Sequence, residues 1–432
     1  MKVKMNVFEE NKGYFIMLYK KKELLELINF IKENIENYSI IRNEKITEEN
    51  VLEYFKKLPI VKKEDIRKNY KKFIDKEIAD EIYESEKFLD IFDVCNKSFE
   101  KDYVYQLKNK TLIVEYTSGT TGSPFVIFKT PNERLQLGIS MWNMREKVGN
   151  IKPQKMFQFI HNFDGVSSFP FKDKYSQFRI KKEMEYLMKS DYEWWHIYPS
   201  MLEEYASCVK DNKICFKKLK GIECNGAYIS EKEMDTYADI FNCKIVNNYG
   251  TRELWNIAYG TQNERMEINP DVIIELIDEE GNIINKANVV GRIVATSLKL
   301  RTMPFVRYYI GDLAYFVENT EKRMIRILPG RSRIFGTKIY GNQFFRDVII
   351  DLMQVYNLKK IESVNIKEVK NGEFIVNFVN NREERKILEK KFIECINFYG
   401  IEDSKKWKFH FQYDNSIRAK SLFTSVINKN DY

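Results

Sequence analysis

The chain has 432 residues, of which 44% are hydrophobic and 31% charged, and its formal net charge is +8. Glycine and proline are scarce and apolar residues are plentiful, so the composition excludes a disordered or collagen-like protein. Length predicts about two to three domains, and the chain is long enough to bury a sizeable core.

The positive charge is interspersed with acidic residues, as in Lys181-Lys182-Glu183, which is typical of solvated helix faces and does not by itself predict a nucleic-acid partner. No apolar run approaches the roughly 18 residues of a membrane span, and the N-terminus lacks the apolar core of a signal peptide. The six cysteines form no Cys-x-x-Cys pair, which predicts reduced thiols in a cytoplasmic protein rather than a zinc site or a disulfide framework.

The first hundred residues show mostly helical apolar spacing, at 22–36, 49–57 and 63–70. Two short apolar runs follow, at 112–116 and 125–128, and a segment of small polar residues separates them. This arrangement predicts a strand, a tight loop and a second strand.

From about 130 to 260, helical stretches alternate with short apolar runs, and 271–316 is rich in predicted strands. Strands that alternate with helices predict a mixed α/β sheet.

The pattern changes after Gly330. The later part is predicted to contain a helix over 343–355, a hairpin of 361–369 and 373–379, a helix over 382–397 and a strand over 407–413. We therefore expect a large α/β domain, 1–329, and a small α+β domain, 332–432.

The segment between the two predicted strands carries the clearest chemical signal. Residues 117–122 read Thr-Ser-Gly-Thr-Thr-Gly, and backbone N–H groups and hydroxyls in such a loop can surround phosphate oxygens. The loop is not a Walker A motif, because Ser123-Pro124 follows the last glycine. The alternative is an ordinary hairpin turn, which needs fewer small residues than this segment has.

Residues 117–124 resemble the phosphate loop of the adenylate-forming superfamily, which contains acyl–coenzyme A ligases and nonribosomal adenylation domains. Further segments resemble that superfamily in the same order: Leu58–Tyr70, Tyr198-Pro199-Ser200, Asn225-Gly226-Ala227, Asn248–Glu253, Arg307–Leu313 and Gly330-Arg331-Ser332 with Gly341. The match covers about 58–345. It is most similar to the phenylacetate–coenzyme A ligase branch, and within it to proteins of capsular polysaccharide biosynthesis.

The resemblance implies a large ATP- and substrate-binding domain with a small C-terminal lid. It implies nucleotide binding by a set of loop, strand and hinge residues: Thr117, Ser118, Gly119, Thr120, Thr121, Gly122, Asn248, Tyr249, Gly250, Thr251, Asp312 and Arg331. It implies binding of the carboxylic acid by His161, Asn225, Gly226 and Ala227, and of Mg²⁺ by Glu253.

Four of these residues have specific expected roles and equally specific structural alternatives. Tyr249 can stack on a base or be a core aromatic residue. Glu253 can bind Mg²⁺ or begin a helix. Asp312 can accept hydrogen bonds from a ribose or occupy a turn, and Arg331 can reach the ribose or a phosphate or form a surface ion pair.

Three positions depart from the superfamily pattern. Ser123 stands where a lysine is common, so either the positive charge on the pyrophosphate side is weaker or Lys129 supplies it. Arg252 replaces the usual threonine and can bind a phosphate or a carboxylate bidentately, and Arg333 replaces a hinge aspartate.

The superfamily's catalytic lid lysine corresponds best to Lys420, with Arg418 as the alternative. The resemblance implies that Lys420 and Arg252 are catalytic residues.

The function expected from this resemblance is ATP-dependent adenylation of a carboxylic acid. The acyl group then passes to coenzyme A, a carrier protein or an amine. Two alternatives stay open: a nucleotide-binding relic without turnover, and a basic protein that binds nucleic acid or a membrane surface. We favour the enzyme and expect neither a nucleic-acid partner nor a membrane span.

Overall fold

The structure is a computed structural model. It describes residues 20–84, 103–117, 125–152, 155–159, 179–226, 228–261, 265–317, 324–328, 333–335, 338–340, 345, 348, 361–370, 372–380, 385–399, 407–414 and 423–426. Contacts between residues divide the chain into two compact units. The larger consists of 1–199, 205–310 and 314–326, and the smaller of 200–204, 311–313 and 327–432.

Helices dominate the beginning of the described chain, as the apolar spacing predicts. The α-helices of the larger unit, including one whose first turn lies across the division, are α1 Lys21–Asn34, α2 Val51–Lys57, α3 Lys63–Lys68, α4 Lys76–Glu84, α5 Pro131–Met144, α6 Arg179–Lys189, α7 Pro199–Asn212 and α8 Glu231–Phe241. The smaller unit contains α9 Arg385–Tyr399.

The strands follow the predicted apolar runs closely. Those up to the end of the large sheet are β1 Tyr103–Gln106, β2 Thr111–Thr117, β3 Phe125–Lys129, β4 Met156–Gln158, β5 Trp194–Ile197, β6 Gly221–Asn225, β7 Lys244–Thr251, β8 Trp255–Gly260, β9 Met266–Ile268, β10 Val272–Ile277, β11 Gly291–Ser297, β12 Tyr308–Phe316 and β13 Met324–Ile327. The remaining strands are β14 Arg333–Phe335, β15 Lys338–Tyr340, β16 Ile361–Lys370, β17 Glu373–Asn380, β18 Lys408–Gln412 and β19 Phe423–Val426.

A mixed sheet of ten strands, in the order β10-β11-β12-β13-β9-β8-β7-β6-β5-β4, forms the framework of the fold. Strands β4, β5, β6 and β7 are parallel to one another. Strand β8 is antiparallel to β7, and β9 is antiparallel to β8. Helices connect the parallel strands. The expected mixed α/β sheet is therefore confirmed.

Strands β1, β2 and β3 form a separate antiparallel sheet in which Thr117 lies opposite Phe125. All five residues of β3 are buried. The predicted succession of strand, loop and strand is therefore confirmed on both sides of 118–124.

The smaller unit contains a four-stranded sheet in the order β18-β17-β16-β19. The predicted hairpin is the antiparallel pair β16 and β17, and Gly372 has a φ of +73° at its turn. Apolar side chains of this sheet and of α9 enclose a core that includes Phe374, Phe378 and Phe392. Strand β19, parallel to β16, is an addition that the apolar pattern does not predict. Of the predicted helix over 343–355, the described residues are Phe345 and Val348, both helical.

Helix α5 begins with a complete capping box. Thr130 Oγ1 accepts a hydrogen bond from the Glu133 backbone N–H, and the Glu133 carboxylate accepts one from the Thr130 backbone N–H. Pro131 at the first helical position fits because that position needs no N–H donor. These local signals fix the start of the helix that follows β3.

No helix among the residues that the structure describes has the length and apolarity needed to cross a membrane. Four cysteines in the described part of the chain, Cys208, Cys215, Cys224 and Cys243, are free thiols, as the cysteine spacing predicts for these positions.

The N-terminal helices are attached to the large sheet by a buried arginine. Arg307 Nε and Nη2 bind the two oxygens of Glu275 at 3.0 and 3.1 Å, and its Nη1 donates to the carbonyl oxygen of Lys56 at 2.9 Å and to that of Leu58. Both charged side chains are buried. Removing one member would leave the other charge without compensation.

We expect Arg307→Leu to lower the free energy of unfolding by about 3–5 kcal/mol, because Glu275 would stay buried without its partner. Denaturant unfolding of the full chain measures this loss. The double variant Arg307→Leu/Glu275→Leu is expected to regain most of it. Equal losses in the single and double variants would show that the ion pair is not the attachment.

Candidate active site

Residues 118–122 of the predicted phosphate loop lie outside the described residues, but the strands on either side define where the loop begins and ends. The backbone of Thr117 is the last residue of β2, and Phe125 is the first of β3. The chain therefore leaves and re-enters the sheet at neighbouring positions, and the loop is anchored at both ends.

Glu115, near the end of β2, is the centre of a buried charge cluster. Its Oε2 accepts a hydrogen bond from Lys129 Nζ of β3 at 2.7 Å, and both side chains are at most 1% exposed. Burial raises the pKa of Glu115, but the positive charges of Lys129 and Arg252 outweigh burial and lower it below its ordinary value. Glu115 is therefore an ionised carboxylate that attracts the cationic side chains around it.

Two arginines complete the charge cluster. Arg134 Nε of α5 lies 3.4 Å from Glu115 Oε1, and Arg252 Nε lies 3.8 Å from Glu115 Oε2. The Arg252 side chain is about one-third exposed, so part of it faces solvent. The predicted catalytic residue Arg252 is thus positioned by a carboxylate that the resemblance does not point to.

The alternative that Lys129 replaces the missing loop lysine is wrong. Its ammonium group is fully buried and is held by Glu115 Oε2 and by the backbone oxygen of Arg252, at 2.9 Å from the latter. A fully buried ammonium group that is held by two protein oxygens is not available to bind a phosphate. Lys129 instead ties the β2–β3 sheet to the turn that carries Arg252.

Glu253 follows Arg252 in the turn between β7 and β8, so the helix alternative for this residue is wrong. Its Oε1 lies 3.2 Å from Lys63 Nζ and accepts a hydrogen bond from Tyr308 OH at 3.0 Å. Burial raises the pKa of Glu253, but Lys63 and Tyr308, with a backbone hydrogen bond, outweigh burial and lower it. Glu253 is an ionised, buried carboxylate.

This environment fits a bound Mg²⁺. A hard cation prefers carboxylate oxygen and usually takes one or two protein carboxylates together with phosphate oxygens. Lys63 Nζ and Tyr308 OH both contact Oε1 of Glu253. The positive charge that balances this carboxylate comes from Lys63, which lies on another element. The described residues contain no cluster of three or more metal-ligating side chains, so substrate phosphates would have to supply the other ligands.

The predicted base-binding residues form the end of β7 and its turn. Gly250 is required by packing, because a Cβ there would lie 1.9 Å from the backbone oxygen of Trp255. The β7–β8 pairing shifts between Tyr249 and Gly250. Tyr249 is half-buried and is not a core aromatic, whereas Asn248 is buried. Thr251 Oγ1 accepts a hydrogen bond from the Leu254 backbone N–H and shapes the turn.

Asp312 is a half-buried residue of β12, so the alternative of a turn aspartate is wrong. It follows Gly311, whose φ of +84° needs a residue without a Cβ. The conformation of the backbone therefore explains why glycine occupies this position of the motif.

Asn225 is the last residue of β6, and Gly226 follows it with an exposed backbone and a φ of +73°. A Cβ on Gly226 would lie 2.5 Å from the ring of Tyr198, which precedes α7. Two of the predicted acid-binding residues thus lie at the carboxyl end of the parallel strands, where ligands bind in open α/β sheets.

The remaining predicted site residues, His161, Ala227, Arg331 and Lys420, lie outside the described residues, as does the alternative Arg418. Their roles stay predictions.

A second buried charge cluster surrounds Glu223, two residues before Asn225 on β6. Glu223 accepts two hydrogen bonds from Arg145, from Nε at 2.8 Å and from Nη2 at 2.7 Å. Tyr259 OH and Asn248 Nδ2 donate to it at 2.6 and 3.0 Å. Burial raises the pKa of Glu223, but Arg145 and its other partners outweigh burial and bring it to about 2.

His196 of β5 lies beside Glu223, with 3.5 Å between Nε2 and Oε1. Burial lowers the pKa of His196 to about 4, against the opposing effect of Glu223. The imidazole is therefore neutral at physiological pH.

The resemblance assigns no role to Glu115, Lys63, Tyr308, Glu223 or His196, although Lys63 and Tyr308 lie within the matched segments Leu58–Tyr70 and Arg307–Leu313. A signal for three of them exists in the sequence, because Glu115, Glu223 and His196 interrupt short apolar strands whose other described residues are mostly buried. A charged or polar residue in such a strand needs a partner, and this predicts a buried network but not its members. Lys63 and Tyr308 carry no such signal, since they contact Glu253 only through the tertiary fold.

Comparison with known proteins gives consistent results. No family model matches the chain. The protein CapK of Staphylococcus aureus is 24% identical over 437 residues, with 91% of this chain and 84% of CapK covered. The structure of 2-hydroxyisobutyryl-CoA ligase in the postadenylation state, with its acyl-AMP, matches with a TM-score of 0.59 at 16% identity and covers 95% of this chain and 89% of the ligase.

The adenylation and carrier-domain structure of McyG with phenylalanyl-adenylate also matches, with a TM-score of 0.52 at 13% identity, over 74% of this chain and 58% of McyG. The chain has the fold of the adenylate-forming enzymes. The fold that the motif resemblance implies is confirmed.

The pKa of His196 predicts a pH dependence of stability. Between pH 6.5 and 4 the unfolded histidine binds a proton that the folded one does not, so stability falls as the pH falls through this window. The contribution is on the order of 3 kcal/mol. We expect His196→Leu to remove this part of the slope in urea unfolding between pH 7 and 4.

His410→Gln is the control, since His410 is about half exposed and lies in the smaller unit. It should keep the wild-type slope. If His196→Leu keeps it too, the imidazole is not held neutral in the folded chain.

Proposed function

We propose that this protein is an ATP-dependent ligase that adenylates a carboxylic acid and transfers the acyl group from acyl-AMP to an acceptor. The acceptor is a thiol, on coenzyme A or a carrier protein, or an amine. The carboxylate attacks the α-phosphorus and pyrophosphate leaves, so that one P–O bond forms and one breaks.

The observation that carries the proposal is the charge cluster at the base of the predicted phosphate loop. Glu115 and Glu253 are surrounded by four cationic side chains, Lys63, Lys129, Arg134 and Arg252. This concentration of cationic side chains near the end of β2 suits a polyphosphate. A β7–β8 turn with a purely structural role would not need four cationic side chains around two carboxylates.

In the proposed reaction the chain acts mainly by positioning and by stabilising charge. The 117–122 loop holds the phosphates, Tyr249 stacks on the base and Asp312 binds the ribose hydroxyls. Glu253 would hold Mg²⁺, and the bound ion would supply neutralisation of phosphate charge and orientation of the leaving group. Arg252 and Lys420 stabilise the developing negative charge on the transferring group.

The similar structures support this proposal because they were solved with acyl-AMP products. These are the acyl-AMP of 2-hydroxyisobutyrate in one ligase and phenylalanyl-adenylate in McyG. One is a coenzyme A ligase and the other contains a carrier domain, which is why both thiol acceptors are retained. We also propose that the protein acts in the cytoplasm.

ATP–pyrophosphate exchange with a panel of carboxylic acids tests the proposal. Acid-dependent exchange supports it. ATP binding without exchange for any acid would favour the relic alternative. Tight binding to polyanionic DNA or anionic vesicles that weakens steeply with salt, without an effect of ATP on melting temperature, would favour the basic-surface alternative.

We expect Asp312→Ala to weaken ATP binding about 10- to 150-fold, because it removes charge-assisted hydrogen bonds to the ribose worth about 1.5–3 kcal/mol. Titration calorimetry with ATP and Mg²⁺ measures the dissociation constant. Asp278→Ala is the matched control, since Asp278 lies in an exposed turn after β10. Unchanged affinity in Asp312→Ala would exclude the ribose role.

Lys420→Ala is expected to lower the rate of acyl-AMP formation by about 10²–10³, the loss that follows removal of one transition-state donor. Transfer from preformed acyl-AMP should be preserved, because the lid turns Lys420 away for that step. Arg418→Ala is the comparison variant in single-turnover assays. Loss of rate in Arg418→Ala alone would move the role to Arg418, and no loss in either would exclude both residues.

A further inference from the structure

The segment before α3 is fixed to the start of β12 by backbone pairing. Val61 and Tyr308 are partners in a parallel bridge, and the Tyr309 backbone N–H donates to the carbonyl oxygen of Val61 at 2.9 Å. Lys63 follows two residues later, as the first residue of α3. Its ammonium group contacts the same Glu253 oxygen to which Tyr308 OH donates. The backbone of this segment therefore places a lysine beside the carboxylate that we expect to hold Mg²⁺.

The ammonium group of Lys63 also lies next to the end of the predicted phosphate loop. Its Nζ is 4.8 Å from the centre of the Phe125 ring, and Phe125 is the first residue of β3. Tyr70 attaches the same N-terminal segment to β3, because its OH accepts a hydrogen bond from the Val126 backbone N–H at 3.1 Å. Lys63 thus contacts both the residue that follows the loop and the expected metal ligand.

Lys63 differs from Lys129, the other lysine near the loop, in its exposure. The side chain of Lys63 is 28% exposed, whereas that of Lys129 is fully buried. An ammonium group has three N–H donors and no acceptor, so it can contact a carboxylate and donate to a phosphate oxygen at the same time. Lysine is also a common phosphate ligand, acting as a point charge. Lys63 can therefore bind a substrate phosphate, which the buried Lys129 cannot.

Lys63 and a metal ion would compete for one carboxylate. Lys63 Nζ lies 3.2 Å from Glu253 Oε1, and Glu253 is buried, so a divalent cation bound there would be repelled by the ammonium charge in a poorly solvated place. Phosphate oxygens remove this conflict, because they bind both an ammonium group and Mg²⁺. The arrangement favours the metal together with a phosphate over the metal alone.

We propose that Lys63 binds the phosphates of ATP, in place of the loop lysine that Ser123 replaces, and that it disfavours metal binding at Glu253 until ATP is present. The inference rests on the proposed function, because it takes ATP as the substrate and Glu253 as the ligand of Mg²⁺. Lys63 then couples the binding of the two: the charge that attracts the phosphates is the charge that repels the free metal.

The variant Lys63→Met tests the inference, because it removes the charge and keeps an unbranched side chain. Titration calorimetry with ATP and Mg²⁺ should show binding weakened about tenfold or more, since a charge-assisted contact is lost. Binding of adenosine, which has no phosphate, should be unchanged. Electron paramagnetic resonance with Mn²⁺ alone should show binding about fivefold tighter or more, because the repelling charge is gone.

Lys62→Met is the matched control, since it makes the same change of charge one residue earlier. Lys62 is exposed, and its Nζ lies 5.3 Å from the centre of the Tyr309 ring. This variant should keep the wild-type affinities for ATP and Mn²⁺. Lys63→Arg, which retains the charge, should also remain close to wild type, whereas the neutral, polar Lys63→Gln should give the same two changes as Lys63→Met.

Three results would overturn the inference: wild-type ATP affinity in Lys63→Met, equal weakening of ATP and adenosine binding, or weaker binding of both ATP and Mn²⁺. The last result is expected if Lys63 only holds α3 against the β7–β8 turn. Failure of the proposed function looks different, because the variants would then show the opposite changes in ATP and Mn²⁺ binding, but no carboxylic acid would support ATP–pyrophosphate exchange by the wild-type chain.

Discussion

The ionised side chain of Glu115 is the contact on which the candidate site depends. It lies on β2, immediately before the predicted phosphate loop, and it binds Lys129 of β3, Arg134 of α5 and Arg252 of the β7–β8 turn. Three separate parts of the larger unit therefore meet at one carboxylate. A buried charge of this kind is stable only when its partners are all present, so it fixes the position of each element that supplies one.

The position of the turn has a consequence for Glu253. Lys129 holds the backbone oxygen of Arg252, and the next residue places its carboxylate between Lys63 and Tyr308. The carboxylate is ionised in a buried position where it would otherwise be protonated. Preorganised charge of this sort serves catalysis because no reorganisation is needed when a phosphate arrives.

The second cluster, at the carboxyl ends of the parallel strands, has a different character. Arg145 and Glu223 cancel each other, and the neutral imidazole of His196 lies next to them. In the proposed function, the phosphate side of the site is therefore rich in cationic side chains, whereas the acid side has a balanced ion pair and a neutral imidazole. This division suits a reaction in which an anionic nucleotide and the acyl part of an acid are recognised separately.

Much of the fold follows from the sequence, because short apolar runs and capping signals act locally. Strands β2 and β3 and the β16–β17 hairpin lie where the apolar pattern predicts them. Strand β19 was not predicted, since its pairing with β16 joins residues about 60 positions apart. The motifs pointed to Glu253 and Asn225. They include Lys63 and Tyr308 but do not predict their contacts with Glu253, and they omit Glu115, because these contacts exist only after the sheet has formed. For the same reason the role considered for Lys129 was wrong.

The central claim is that a carboxylate oxygen attacks the α-phosphorus of ATP. Incubation of the protein with ATP, Mg²⁺, an acceptor and an acid labelled with ¹⁸O in its carboxylate tests this directly, with mass spectrometry of the nucleotide product. The account predicts AMP that carries one oxygen from the acid, together with pyrophosphate. Unlabelled AMP, or ADP with phosphate in place of AMP with pyrophosphate, would contradict it.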